Sequence, residues 1–305
     1  MADIRPDLAP EALMTLLAVA RLGRYTAAAD ALGVNHSTVS RRLSSLEASL
    51  GDRVLVRTPG GWEPTQLGLI ALRAAEEMEA AMSRLVAHDR PDAVGGLVRI
   101  ATPDAFGASC VVPVCTALQS THPDIDFDVL AATQPVRQHR SGVDIEVVVG
   151  KPHVHNAIAA HIASYRLALY ATPAYLESHG APRSIADLAQ HRLIFYVDSA
   201  LQVDDLDAAR KGLPKSLPTI SSTSVFAHVA ATAASAGIGI LPHFLAHEHP
   251  SLVPVLPDDY EHRADYWAVA REDNLRKPAV ALCLRALIDQ TQSYVDDRAS
   301  APALP

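Results

Sequence analysis

Apolar residues in the first third of the chain recur at helical spacing. Leu13, Leu16, Leu17 and Ala20 predict a helix over Pro10 to Leu22 with those side chains facing inward. A run of small residues, Ala27 to Ala29 and Ala31, suits a second helix, with Thr26 as a candidate N-cap. Gly33 stands where a left-handed helix end is expected. Asn35 is placed to cap a third helix, in which Val39, Leu43, Leu46 and Leu50 form one buried stripe. Ser37, Ser40, Arg41 and Ser44 fall on the opposite face. Two helices joined by a tight glycine turn have helix-turn-helix spacing, and the second helix of such a unit enters the DNA major groove. Arg53 to Arg57 reads as extended, Pro59-Gly60-Gly61 as a turn and Trp62 to Pro64 as a return, which predicts a hairpin able to act as a wing.

Thr65 then caps a longer pattern. Leu67, Ala71, Ala74, Met78, Ala81 and Leu85 recur at steps of four and three, the period of a coiled-coil seam. A helix of about 24 residues would span about 36 Å. The sequence offers one such seam, so a second copy of the chain is the expected partner.

Asp89 to Gly96 carries two acids, a proline and two glycines and reads as a linker. Beyond it, residues 97–101, 125–131, 143–149 and 191–197 read as strands separated by helical stretches, an α/β pattern with parallel strands. Residues 224–242 read as a helix, a glycine stop and a strand. Residues 265–270 form another strand, and residues 277–290 an amphipathic helix. Two α/β subdomains with two crossing segments account for this order. Ligands of such folds sit at strand C-terminal ends, in the crevice between halves.

The chain has 305 residues and a formal net charge of -8, which implies two or more domains. The charge is uneven. Residues 1–65 hold seven arginines and seven acids, leaving 19 basic and 27 acidic residues for the rest. A neutral head with Arg41, Arg42, Arg53 and Arg57 clustered thus precedes an acidic body, which would repel DNA and leave binding to the head. Three cysteines, Cys110, Cys115 and Cys283, suggest a reducing compartment. The first ten residues have no apolar signal core, and residues 227–242 are too short to span a membrane. A soluble, cytoplasmic protein without a membrane partner is expected.

Catalytic and metal constellations are weak. His153 and His155, and His243, His247 and His249, have ligand-like spacing, but no CxxC or HExxH accompanies them. No P-loop, nucleophile elbow or strand-led GxGxxG is present. No metal, cofactor or enzymatic activity is expected. A solute-binding protein would need a signal peptide and would not need the helix-turn-helix. An enzyme on the α/β half would need a catalytic set.

The segment TAAADALGVNHSTVSRRLSSLEASLG (26–51) resembles the N-terminal signature of LysR-type transcriptional regulators, closely over Leu8 to Gly68 and in layout over the whole chain. PTQLG (64–68) resembles the threonine-x-x-glycine that opens that family's linker helix. Residues 96–107, 182–196 and 237–242 resemble landmarks of its sensor domain. The resemblance implies an all-α winged helix-turn-helix over 1–65 and a linker and dimerisation helix over 66–89. A two-subdomain, periplasmic-binding-protein-like α/β effector domain would follow over 90–305. It implies that Thr26, Asn35, His36, Ser37, Thr38, Ser40, Arg41 and Arg42 serve DNA binding, with Arg57 in the wing. It places a small-molecule effector near Thr102, Pro103, Asp104, Thr133, Thr223 and Ser224. The implied partners are double-stranded operator DNA, an effector, a second copy through residues 66–88, and a homotetramer. Free N–H groups at helix N-termini favour a carboxylate effector, whereas Asp104 would oppose an anion and leaves an amine or a hydrogen-bonding ligand open.

Overall fold

The structure, a computed structural model, describes residues 8–58, 61–86, 94–131, 143–154, 157–197, 204–217 and 219–300. It divides into two compact units, the first built on Met1–Gly96 and the second on Leu97–Pro135 with Asp144–Pro305.

In the first unit α1 (Pro10–Leu22) begins with its proline in the first turn, where no backbone donor is lost, and ends at Gly23. Its buried face is Ala12, Thr15, Leu16, Leu17 and Val19, while Leu13 and Ala20 are half-buried. The inward face is therefore turned slightly from the expected one. α2 (Tyr25–Leu32) starts one residue before Thr26, so Arg24 holds the N-cap position and Thr26 is an exposed first-turn residue, not a cap. Gly33 (φ 63, ψ 31) ends α2 in the left-handed region. α3 (His36–Leu50) is capped by Asn35, and Val39, Leu43 and Leu46 are buried along it, with Leu50 packed at the edge. β1 (Leu55–Thr58) pairs antiparallel with β2 (Gly61–Pro64), Arg57 lying opposite Trp62.

α4 (Gln66–Val86) packs on α1 and turns Ala71, Leu72 and Ala75 into the core. The Arg21 guanidinium forks onto Glu79 at 2.6 and 2.5 Å and fastens α1 to α4. Ala71 thus belongs to the intrachain face. Ile70 (58% exposed), Ala74 and Met82 (54% exposed) remain open to solvent, with Met78 and Ala81 half-exposed beside them. The open apolar stripe is displaced from the packed face by about a quarter turn, given 3.6 residues per turn. The side chain of Leu85 lies outside the described residues.

The second unit is one mixed sheet, not a purely parallel one. Its strands are β3 (Gly96–Thr102), β4 (Ile125–Ala131), β5 (Ile145–Val149), β6 (Ala157–Ala171), β7 (Leu193–Tyr196), β8 (Ser221–Ser222), β9 (Ile238–Pro242), β10 (Val253–Val255) and β11 (His262–Arg271). The order is β4-β3-β5-β11-β6-β9-β7-β8, with β10 beside β6. β3 and β5 are parallel, as are β7 and β9, while β6 and β11 run antiparallel to their neighbours and join the two parallel groups. The helices are α5 (Asp104–Phe106), α6 (Val112–Thr121), α7 (Pro173–His179), α8 (Asp204–Arg210), α9 (Val225–Ala233), α10 (His243–Ala246), α11 (Glu272–Leu275) and α12 (Pro278–Ser300). A π turn, Gly107–Val111, joins α5 to α6. α12 packs across β6, and its buried Thr291 donates to the Ile162 carbonyl at 2.7 Å. No helix among the described residues is long and apolar enough to cross a membrane.

Candidate DNA-reading head and effector cleft

The buried stripe of α3 fixes what the helix shows to solvent. With Val39, Leu43 and Leu46 turned inward, His36, Ser37, Arg41 and Ser44 are exposed and Thr38 and Ser40 half-exposed. The Asn35 side-chain oxygen accepts from the Thr38 amide at 2.8 Å, the Thr38 hydroxyl at 2.7 Å and the Ser37 hydroxyl at 2.8 Å. That oxygen is committed to the cap, so a contact from Asn35 to a base must come from its amide nitrogen. The two hydroxyls spend their hydrogens on Asn35 and keep lone pairs for an outside donor. Arg41 is exposed, whereas Arg42 is half-buried with Nη1 3.5 Å from the Thr15 hydroxyl. Arg42 therefore leans toward α1, and Arg41 is the freer guanidinium. Arg57 is exposed on the wing.

Residues absent from the expected set hold this surface in shape. Tyr25 stacks on Trp62 at 4.6 Å and lies 5.6 Å from the His36 ring, linking α2, the wing and the start of α3. Burial, then the nearby Glu47 charge, raises the Tyr25 pKa. Glu47 accepts the Val54 amide at 3.0 Å and fixes where the wing leaves α3. The Thr65 hydroxyl accepts the Gly68 amide at 3.0 Å and donates to the Arg53 carbonyl at 2.6 Å, so one side chain caps α4 and anchors the wing. Aromatic residues at unrelated spacings give no local signal for such a stack.

In the second unit a cleft is lined by Pro103, Asp104, Tyr165, Tyr196, Val225 and Tyr266, with Ala105, Val149, Leu167, Leu206 and Pro242 completing the wall. The enclosed space is about 20 Å³, room for one water molecule, so a larger ligand must part the walls. Of the expected effector residues, Pro103 and Asp104 line it. Thr102 is buried, with its hydroxyl 3.3 Å from the Pro103 carbonyl, and is not in the wall. Thr223 is exposed and Ser224 half-exposed just before α9, and the wall begins with the next residue, Val225. Thr133 lies outside the described residues. The three tyrosines come from β6, β7 and β11 and were not foreseen. Tyr266 is stacked between Tyr165 (4.5 Å) and Phe106 (4.0 Å). Its hydroxyl pKa is raised well above the usual value by burial and then by Tyr165. Burial raises Tyr196 as well, and the Asp104 charge adds to the effect.

The remaining sequence candidates are not among the described lining residues of the cleft. Cys110, Cys115 and Cys283 are buried and not disulfide-bonded, and the Cys115 and Cys283 thiols share a hydrogen bond. Among the described residues no group of three potential ligands could hold a metal ion. His243 is held by the Tyr170 hydroxyl at 2.8 Å and its ring lies 4.1 Å from that of His247. His155 is outside the described residues.

Comparison with known proteins covers both units. Residues 10–69 match the family model of the bacterial regulatory helix-turn-helix protein, lysR family, and residues 91–292 that of the LysR substrate binding domain. A relative from Pseudomonas aeruginosa, a transcriptional regulator by name, is 35% identical over 191 residues, covering 60% of either chain. The chain thus spans about three-fifths of that relative's length. The Escherichia coli (strain K12) HTH-type transcriptional activator TtdR is 26% identical over 290 residues, 90% of this chain and 91% of TtdR. The crystal structure of ArgP from Mycobacterium tuberculosis shares the fold, with a TM-score of 0.67 at 23% identity over 92% of this chain and 97% of ArgP.

Proposed function

The chain belongs to the LysR family of transcriptional regulators, and from that membership we propose that it binds operator DNA as a dimer and answers to a small molecule held in the cleft. In this reading residues 1–65 are the DNA-binding head, 66–89 the linker and dimerisation helix, and 90–305 the effector-binding domain. The protein acts in the cytoplasm by binding rather than by catalysis.

The observation that carries the DNA reading is the division of α3. Its apolar stripe is sealed in the head, and an uninterrupted polar row of Ser37, Ser40, Arg41 and Ser44 is left for the groove. Short hydroxyls let the helix approach the base edges, and Arg41 has the reach to fork onto a guanine or a phosphate. The open stripe of Ile70, Ala74, Met78, Ala81 and Met82 supports pairing of two heads. A ligand that parts the cleft walls shifts the protein between arrangements by no more than its differential affinity for them.

Arg41→Ala tests the assignment. Operator affinity, read in a shift assay on the chain's own upstream DNA, is expected to fall by about 1–3 kcal/mol if Arg41 forks onto a guanine. Thermal stability and assembly should stay at wild-type values, because the side chain touches nothing in the head core. Wild-type operator binding by Arg41→Ala would remove Arg41 from the reading surface.

A further inference from the structure

The cleft wall carries one full charge, and it is negative. Asp104 stands at the first position of α5, and its carboxylate makes no hydrogen bond or ion pair among the described residues. The other polar groups of the wall are the hydroxyls of Tyr165, Tyr196 and Tyr266. No lysine, arginine or histidine is among the described lining residues. Behind the wall, the His228 ring packs edge-on against Tyr196 at 4.6 Å, its Nε2 donating to the Ser222 carbonyl 2.9 Å away. Burial lowers its pKa, against the opposing effect of the Ser222 hydrogen bond. The Tyr196 hydroxyl has no hydrogen-bond partner among the described residues, and the residue is half-buried. The rest of the wall is hydrocarbon: Ala105, Val149, Leu167, Leu206, Val225 and two prolines.

A carboxylate and a phenol side by side, neither with a partner among the described residues, in an otherwise apolar cleft favour a ligand that brings donors. The short helix α5 supplies Asp104 with no counter-ion. An anionic ligand would meet Asp104 at close range without a basic side chain to hold it. An ammonium would satisfy Asp104 by a charged hydrogen bond, donate a second hydrogen bond to the Tyr196 oxygen and lay its hydrocarbon part on the aliphatic wall.

Resting on the reading of the cleft as the effector site, we infer that its ligand is a small organic ammonium compound with an apolar body, and that Asp104 selects it. The ligand adds no covalent step. It enters as the walls separate and is held by Asp104 and Tyr196.

Three probes of one skeleton separate the charge requirement from simple hydrophobic fit: 2-phenylethylamine, 2-phenylethanol and 3-phenylpropanoate, titrated calorimetrically into the full chain at neutral pH. The amine is expected to bind at least about tenfold more tightly than the carboxylate, the usual value of one charged hydrogen bond. In Asp104→Asn, which keeps the shape, the amine should lose about tenfold while the alcohol changes little. Tyr196→Phe should weaken the amine by a smaller factor and leave the carboxylate as it was. Equal or tighter binding of 3-phenylpropanoate would mean that the helix starts at Asp104 and Val225 set the preference, and would overturn the inference. An amine affinity indifferent to Asp104→Asn, or no amine binding at all, would do so too. A parallel shift assay on upstream DNA keeps the two readings apart. Lost DNA binding counts against the regulator, while intact DNA binding with no amine preference counts against Asp104 alone.

Discussion

Gly68→Ala is expected to unfold the head at temperatures the wild type withstands. A Cβ at position 68 would stand 1.9 Å from the Val54 carbonyl oxygen and 2.9 Å from its carbon. Both atoms are backbone, and the oxygen already accepts the Thr65 amide at 3.0 Å. No side chain can swing aside to make room. Relief requires α4 to move off the wing, which pulls Thr65 from the Arg53 carbonyl and Ala71, Leu72 and Ala75 from the core of the first unit. Overpacking that forces backbone shifts costs about 1–3 kcal/mol, and loss of the cap adds about 1 kcal/mol. Gly51→Ala is the control. There a Cβ meets nothing within 4 Å, and only the positive φ of 85 is strained. That cost is about 1 kcal/mol. Chemical denaturation of both variants, followed at the tryptophan signal of Trp62, ranks them. A Gly68→Ala head as stable as Gly51→Ala would show that the close approach of α4 and the wing is dispensable.

Replacing Ile70 by Asp should break the proposed dimer. Ile70 is 58% exposed in the single chain and shares the open stripe of α4 with Ala74, Met78, Ala81 and Met82. A two-fold seam brings each substituted position in twice, so two carboxylates lose water without a partner. At about 2 kcal/mol or more for each buried polar group, the dimer weakens by about 4 kcal/mol, close to a thousandfold in its dissociation constant. Arg73, exposed on another face of α4, gives the comparison: Arg73→Gln should leave the assembly intact. Sedimentation equilibrium over a concentration series reads the difference. An Ile70→Asp protein that assembles like wild type would place the stripe outside the interface.

The head was legible because each signal in it is local. Pro10, Gly33, Asn35 and Thr65 mark helix ends by short-range stereochemistry, and the buried stripe of α3 follows directly from its period. The α4 seam was read only in part. One helix there serves two faces, and a repeat of four and three cannot say that Ala71 turns toward α1 while Ile70 stays open. The long strand β6 left no clear mark. Its residues, AIAAHIASYRLALYA, are rich in alanine and lack clean alternation, and the strand is held by pairing with β9, β10 and β11. Without it the parallel groups on either side read as a simple α/β repeat. The cleft was legible at Pro103 and Asp104, which follow the first strand of the sheet. Tyr165, Tyr196 and Tyr266 meet there only because three strands far apart in sequence come together, Tyr165 and Tyr266 from the middle of β6 and β11 and Tyr196 from the end of β7.

The central claim, sequence-specific DNA recognition by paired heads, is tested most directly by fluorescence anisotropy on two duplexes of equal length. One carries the chain's own upstream region and the other the same bases scrambled, at one fixed physiological salt concentration, since phosphate contacts alone vary steeply with salt. The account predicts saturation at no fewer than two chains per specific duplex and an affinity at least about 10³-fold above that for the scrambled one. Equal affinity for both duplexes would contradict it.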